Sequence, residues 1–145
     1  MDDYNILLVD DEKYIHKLLP RFLARSKKYT FTVHSAMNGE EGVEMYSELE
    51  NKDQKMNLVL MDLRMPVMDG VEATRRIMEH DPNANIYLFT AYAKTGIEEA
   101  ALKAGAKGTI SKIADWIKTV EEIVSIQESS LQNQEQEEIN NSVKE

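Results

Sequence analysis

The sequence predicts an α/β fold in which five parallel strands carry helices on both faces. Two observations lead there. Apolar runs and helical patterns alternate five times along the chain, and β–α pairs in order give a parallel sheet. Three of the runs, Ile6–Val9, Leu58–Met61 and Ile86–Phe89, are unbroken, as expected of strands covered on both faces.

The first strand is expected at Asn5–Val9, before a helix at Glu12–Arg25 in which Ile15, Leu18, Leu19 and Phe22 make one apolar stripe. Pro20 falls inside that stripe. An interior proline costs about 3 kcal/mol, so a kink or an early end is expected rather than loss of the helix. Thr30–Ser35 is the second strand and Glu40–Leu49 the second helix. Leu58–Met61 and Val71–His80 form the third pair, and Ile86–Phe89 and Ile97–Ala104 the fourth. Gly105 and Gly108 mark the turn that closes it. Gly108–Ile110 is the last strand and Ala114–Ser125 the last helix, striped by Ile117, Val120, Ile123 and Val124.

The 145 residues suffice for one domain, and 42% hydrophobic residues suffice for a core. Composition shifts at Ile126. Residues 126–145 hold five Glu, one Lys and many Gln, Asn and Ser. Of the net charge of −9, this tail carries −4 and the body, residues 1–125, carries −5. The tail lacks Gly and Pro. It reads either as an extension of the last helix or as a solvated linker. The spacing of Ile117, Val124 and Leu131 is too short a run for a coiled coil.

Several function classes drop out. With no cysteine there are no disulfides, thiolate metal sites or cysteine nucleophiles. His16, His34 and His80 lack zinc-ligand spacing. No apolar run approaches the ~20 residues of a membrane span, and Met1-Asp2-Asp3-Tyr4 does not resemble a signal peptide. No membrane insertion and a cytoplasmic location are therefore expected. The acidic balance argues against direct nucleic-acid binding.

In parallel sheets, ligands bind beyond the carboxyl ends of the strands. Here the first strand ends in Asp10-Asp11 followed by Glu12, the third in Asp62 and the fourth in Thr90, and Lys112 follows the fifth. Clustered carboxylates repel, and a hard divalent cation such as Mg²⁺ relieves the repulsion. A carboxylate can also act as a nucleophile toward phosphorus, with Mg²⁺ and Lys112 stabilising the equatorial oxygens. Taken singly, each residue has a plainer reading: Asp10, Asp11 and Thr90 as caps or turn residues, Lys112 as a surface cation. Their joint placement at one end of the sheet raises the functional reading.

The segments Ile6–Glu12 (ILLVDDE), Met61–Gly70 (MDLRMPVMDG), Phe89-Thr90-Ala91 and Gly105–Lys112 resemble the receiver domain of two-component response regulators. The resemblance covers about Asn5–Ser125. It implies a flavodoxin-like sheet with strand order 2-1-3-4-5. It implies that Asp62 accepts a phosphoryl group from a sensor histidine kinase or a histidine phosphotransfer protein. Mg²⁺, or Mn²⁺ in its place, would be held by Asp11, Asp62 and the backbone carbonyl of Arg64, with Asp10 acting through water. Thr90 and Lys112 would hold the phosphoryl group, and Met65-Pro66 and Asp69-Gly70 would shape the loop into the third helix. Output would be a contact with an unknown downstream protein, with dimerisation through helices 4 and 5 as a further state. The chain would be a phosphoacceptor signalling domain rather than an enzyme, with self-phosphorylation from small donors and autodephosphorylation expected.

Two positions depart from the family pattern. Ile113 follows Lys112 where proline is usual, and Thr109 stands where the fifth strand usually carries an aromatic. A cis bond before a non-proline residue costs ~2.5–4 kcal/mol, so a trans or strained linkage is expected at Ile113. Tyr92 is a candidate for part of the missing aromatic's role. Other readings are a receiver portion of a larger regulator and a phosphorylation-independent interaction module. A Mg²⁺-dependent phosphatase would want an acid two residues after Asp62, where Arg64 stands. A flavin-binding protein would want small residues in the acidic first loop.

Overall fold

The computed structural model describes residues 3–91, 96–112 and 115–143. Among these the elements are β1 (Asp3–Val9), α1 (Lys13–Leu23), β2 (Thr30–Ala36), α2 (Gly39–Asn51), β3 (Leu58–Met61), α3 (Gly70–His80), β4 (Ile86–Thr90), α4 (Gly96–Ala104), β5 (Gly108–Ser111) and α5 (Trp116–Val143). The chain falls into two compact units, Met1–Ala114 and Asp115–Glu145.

In the first unit the five strands form one sheet in the order β2-β1-β3-β4-β5, and all four pairings are parallel. Leu7, Val9, Val59, Met61, Ile86 and Leu88 belong to one core cluster, which Tyr46, Ala73, Ile77 and Ala101 of the next three helices complete. By the alternation of strand side chains, Ile6, Leu8, Leu58 and Leu60 point to the other face, and all four are buried. Helix α1 buries Ile15, Leu19 and Leu23, none of which joins the first cluster. The central runs are thus covered on both sides, which is why they lack alternation. The edge strand β2 does show exposed and half-buried positions in turn.

The expected elements all form, with shifted ends. Helix α1 runs through Pro20 and ends at Leu23, two residues before Arg25. The buried stripe uses Leu23 in place of Leu18 and Phe22, which are half-buried. Asp3, read as preceding the first strand, is its first residue and pairs with Thr30. Asn38 and Asp69 cap α2 and α3, accepting hydrogen bonds from Glu41 N–H and Glu72 N–H at 2.9 Å. Gly105 takes φ +128 after α4, a backbone conformation that favours glycine.

The second unit is one helix. Asp115 accepts from Lys118 N–H at 3.2 Å, and Thr119 Oγ1 donates to the Asp115 carbonyl at 3.1 Å. The helix runs unbroken from Trp116 through Ile126 to Val143. Trp116 is half-buried. Tyr92, Ile113 and the expected helix start at Ala114 lie outside the described residues.

Candidate functional site

Register brings the candidate residues together. Ile6–Val9 pairs residue for residue with Leu58–Met61, so the residues after each run, Asp10 and Asp62, emerge side by side. Asp62 N–H donates to Val9 O at 2.9 Å, and Asp10 N–H to Ala36 O at 3.0 Å. On the other side Thr90 pairs with Ser111, and Lys112 N–H donates to Thr90 O at 3.0 Å. The sheet therefore ends in Asp10, Asp62, Thr90 and Lys112 across neighbouring strands. The loop after Asp62 folds back tightly: Gly70 N–H donates to Leu63 O at 2.9 Å. A Cβ at Gly70 would lie 2.0 Å from Asp62 O, so only glycine fits there.

Three carboxylates gather around one ammonium. Lys112 Nζ lies 2.6 Å from Asp10 Oδ2, 3.3 Å from Glu12 Oε1 and 3.4 Å from Asp62 Oδ2. The lysine side chain is 5% exposed. Its contact with Asp10 is an ion pair whose alignment falls short of a hydrogen bond. Carboxylate oxygens of Asp10, Asp11 and Asp62 lie within 4.8 Å of one another. Asp10 and Asp62 are buried, and Asp11 is exposed at the mouth. Backbone N–H groups fix the buried pair: Glu12 donates to Asp10 Oδ1 and Leu63 to Asp62 Oδ1, both at 2.9 Å.

Charge here exceeds compensation. Burial and then the Asp10 charge push the Asp62 carboxyl up to about 6, against the pull of Lys112 and Leu63 N–H. Burial raises Asp10 as well, despite the pull of the Lys112 charge and the hydrogen bond from Glu12 N–H. Burial would lower Lys112, but Asp10, Asp62 and Glu12 outweigh it and raise the lysine. Such a group of carboxylate oxygens, too negative for the one ammonium that faces it among the described residues, suits a hard divalent cation.

Thr90 is fully buried at the end of β4, and Arg64 is exposed two residues beyond Asp62. Two contributors escape a motif-based reading. Glu12 occupies the N-cap of α1 without capping it. Its carboxylate turns to Lys112 instead, and a hydrogen bond from the Tyr14 hydroxyl, with Lys112, holds it below the usual range. His16 donates from Nε2 to the Asp10 carbonyl at 2.7 Å, bracing the loop that carries the acidic pair. Glu12 had a signal in its place beside Asp11. His16 had none beyond lying one helical turn further on.

Comparison with known proteins decides the family. The model of the response regulator receiver domain matches residues 6–124. The chain belongs to that family. A chemotaxis protein CheY of Treponema pallidum is 36% identical over 123 residues, covering 85% of this chain and 82% of that one. A CheY of Halobacterium salinarum is 39% identical over 107 residues, covering 74% and 82%. Among solved structures, the CheX–CheY–BeF3–Mg²⁺ complex from Borrelia burgdorferi matches with TM-score 0.72 at 31% identity, over 85% of this chain and 88% of that one. A CheY-like receiver domain protein from Methanospirillum hungatei matches with TM-score 0.73 at 28% identity, over 94% and 99%. The flavodoxin-like sheet of a two-component receiver is therefore the fold of this signalling domain. Among the described residues no helix is long and apolar enough to cross a membrane.

Proposed function

We propose that this receiver is a phosphorylation-controlled switch in which Asp62 accepts a phosphoryl group from a phosphohistidine on a sensor histidine kinase or phosphotransfer protein. The observation that carries the reading is the buried Asp62 carboxylate, 3.4 Å from Lys112 and grouped with Asp10 and Asp11. In the transfer an Asp62 oxygen attacks phosphorus. The phosphorus–nitrogen bond breaks, its electron pair stays on the imidazole, and that nitrogen takes up a proton.

The residues fit a divalent cation on the chemistry of their donor set. Asp11, Asp62 and the Arg64 carbonyl would hold Mg²⁺ directly and Asp10 through water. The ion supplies positive charge to the phosphoryl oxygens. Asp10 keeps Lys112 beside Asp62, so its ammonium is available to a phosphoryl oxygen without a long search. Thr90 offers a hydroxyl hydrogen bond. Charge-assisted bonds of this kind bias a two-state protein when one conformer makes them better. The receiver body would be residues 1–125, with 126–145 as linker or helical extension, in a cytoplasmic chain. Its output would be a downstream protein or a dimer through α4 and α5.

The test is intact mass after incubation with Mg²⁺ and a small acyl phosphate. A gain of one phosphoryl group is expected, lost in Asp62→Asn and in a chelated sample. A chain that binds Mg²⁺ yet gains no mass from either the small donor or a phosphorylated histidine domain overturns the reading.

A further inference from the structure

The segment from Thr90 to Lys112 begins and ends at the candidate site and contains α4 and β5. Helix α4 is lightly held. Of its nine residues only Ala101 is buried, and Ile97 and Leu102 are more than one-third exposed. With so little apolar burial, a single polar contact takes a larger share of its hold. One such contact crosses to the sheet: Thr109 Oγ1 donates to Glu98 Oε1 at 2.9 Å, partly buried, between residues 11 apart. Thr109 sits opposite Leu88 on β4, two residues before Thr90, and three residues before Lys112. Glu98 lies in the first turn of α4, where a carboxylate also favours the helix dipole. A short hydroxyl at this strand position obliges the longer carboxylate to reach inward, which draws the start of the helix onto β5.

We propose that Glu98 and Thr109 are a positioning pair that locks α4 to β5, and that switching has to break this bond. The inference rests on the phosphorylation reading. Any shift of α4 against β5 separates the two side chains. A hydrogen bond to a charged group, partly exposed, then sets the ease of that shift at about fivefold to tenfold.

The experiment compares Thr109→Val, which keeps the shape without the hydroxyl, with Thr109→Ser, which keeps the hydroxyl. Hydrogen exchange of α4 amides is read in the unmodified full chain, and phosphoryl uptake from a small acyl phosphate in parallel. In Thr109→Val, α4 exchange is expected to rise about fivefold while β1 and β3 stay protected. Uptake should quicken by a similar factor. Thr109→Ser should match the parent in both. Unchanged α4 exchange in Thr109→Val overturns the pair. Faster exchange without faster uptake, in a chain whose parent does take up phosphate, overturns the lock. If the parent takes up none from either the small donor or a phosphorylated histidine domain, the phosphorylation reading fails, the lock fails with it, and exchange alone judges the bond.

Discussion

Two acidic groups lie at opposite ends of the strands, and they treat the same electrostatic problem differently. At the carboxyl ends, Asp10 and Asp62 are buried and crowd one lysine. Helices α2 and α3 run back against the strands, so their last residues lie at the other end. There Tyr46 OH donates to Asp81 Oδ2 at 2.7 Å, and Asn83 N–H donates to Asp81 Oδ1 at 3.0 Å. Glu50 adds its charge beside Asp81 and lies 3.5 Å from His80. Burial pushes Asp81 up, but these hydrogen bonds outweigh it and hold the carboxyl below its usual range, while Glu50 is raised by burial and by Asp81. Donors from Tyr46 and Asn83 satisfy the Asp81 carboxylate internally. Among the described residues, the first group is left with more negative charge than Lys112 neutralises. Unsatisfied buried charge is the mark of a site built for something that arrives; satisfied charge is the mark of a joint.

The largest effect should come from removing the Lys112 ammonium. Lys112→Met leaves Asp10 and Asp62 buried together without compensation. Destabilisation of about 3 kcal/mol is expected in metal-free urea unfolding at neutral pH. Mg²⁺ or mild acid should recover part of it, since either lowers the uncompensated charge. Loss that neither recovers would mean that Lys112 matters through packing rather than charge.

The opposite sign is expected for Asp62→Asn without metal. A carboxyl whose pKa rises from 3.8 in the free group to about 6 in the folded chain favours folding while it is protonated. Its contribution is intact below the lower value and is lost as pH rises through the upper one. Parent stability should therefore fall between these two values, and Asp62→Asn should flatten that slope. The shift corresponds to at most about 3 kcal/mol. With Lys112 losing a partner, a gain of about 2 kcal/mol at pH 8 is expected. A less stable variant at pH 8 would show that the carboxylate is well compensated and would collapse the contrast between the two groups.

At the other end, Tyr46→Phe deletes the hydroxyl that serves Asp81. Tyr46 is 1% exposed, and the ring keeps its packing in the variant. A loss of about 1 kcal/mol is expected from chemical denaturation, with phosphoryl uptake unchanged. Reduced uptake would tie the two ends of the sheet together and remove the division into site and joint.

Legibility in the sequence followed the range of the interaction. The unbroken runs at Ile6, Leu58 and Ile86 gave their strands away because double burial leaves no polar positions. Asp10, Asp11, Asp62 and Thr90 were legible because they stand where such a run stops, and Lys112 because it follows the last strand; parallel register converts that local fact into proximity. Helix ends were less so: Leu23 rather than Arg25 closes α1 because packing, not propensity, chooses the last buried residue. Contacts between side chains far apart in the chain left no local trace. Tyr46 and Asp81 are 35 residues apart, and Glu98 and Thr109 are 11 apart. Glu12 lay in plain view but read as a helix residue, since its pairing with Lys112 spans 100 positions.

The smallest effect concerns the loop between Asp62 and α3. Val67 has φ 68 and is 77% exposed. Met68 N–H donates to Pro66 O at 2.7 Å across it. A hydrogen bond spanning one residue with φ near +70° is the tight γ-turn, which is strained for any side chain and most for a β-branched one. Exposure means that Val67 gains little burial in return. Val67→Gly should therefore stabilise the folded chain by about 1 kcal/mol in urea unfolding, the relieved strain exceeding the entropy glycine adds to the unfolded chain. The same loop carries Arg64 and Met65 beside Asp62, so the substitution also asks whether strain there serves the chemistry. If phosphoryl uptake falls while stability rises, the turn holds the loop in a working geometry. If stability rises and uptake holds, Val67 is a tolerated cost, and the functional tension at this end of the sheet resides in its charges alone.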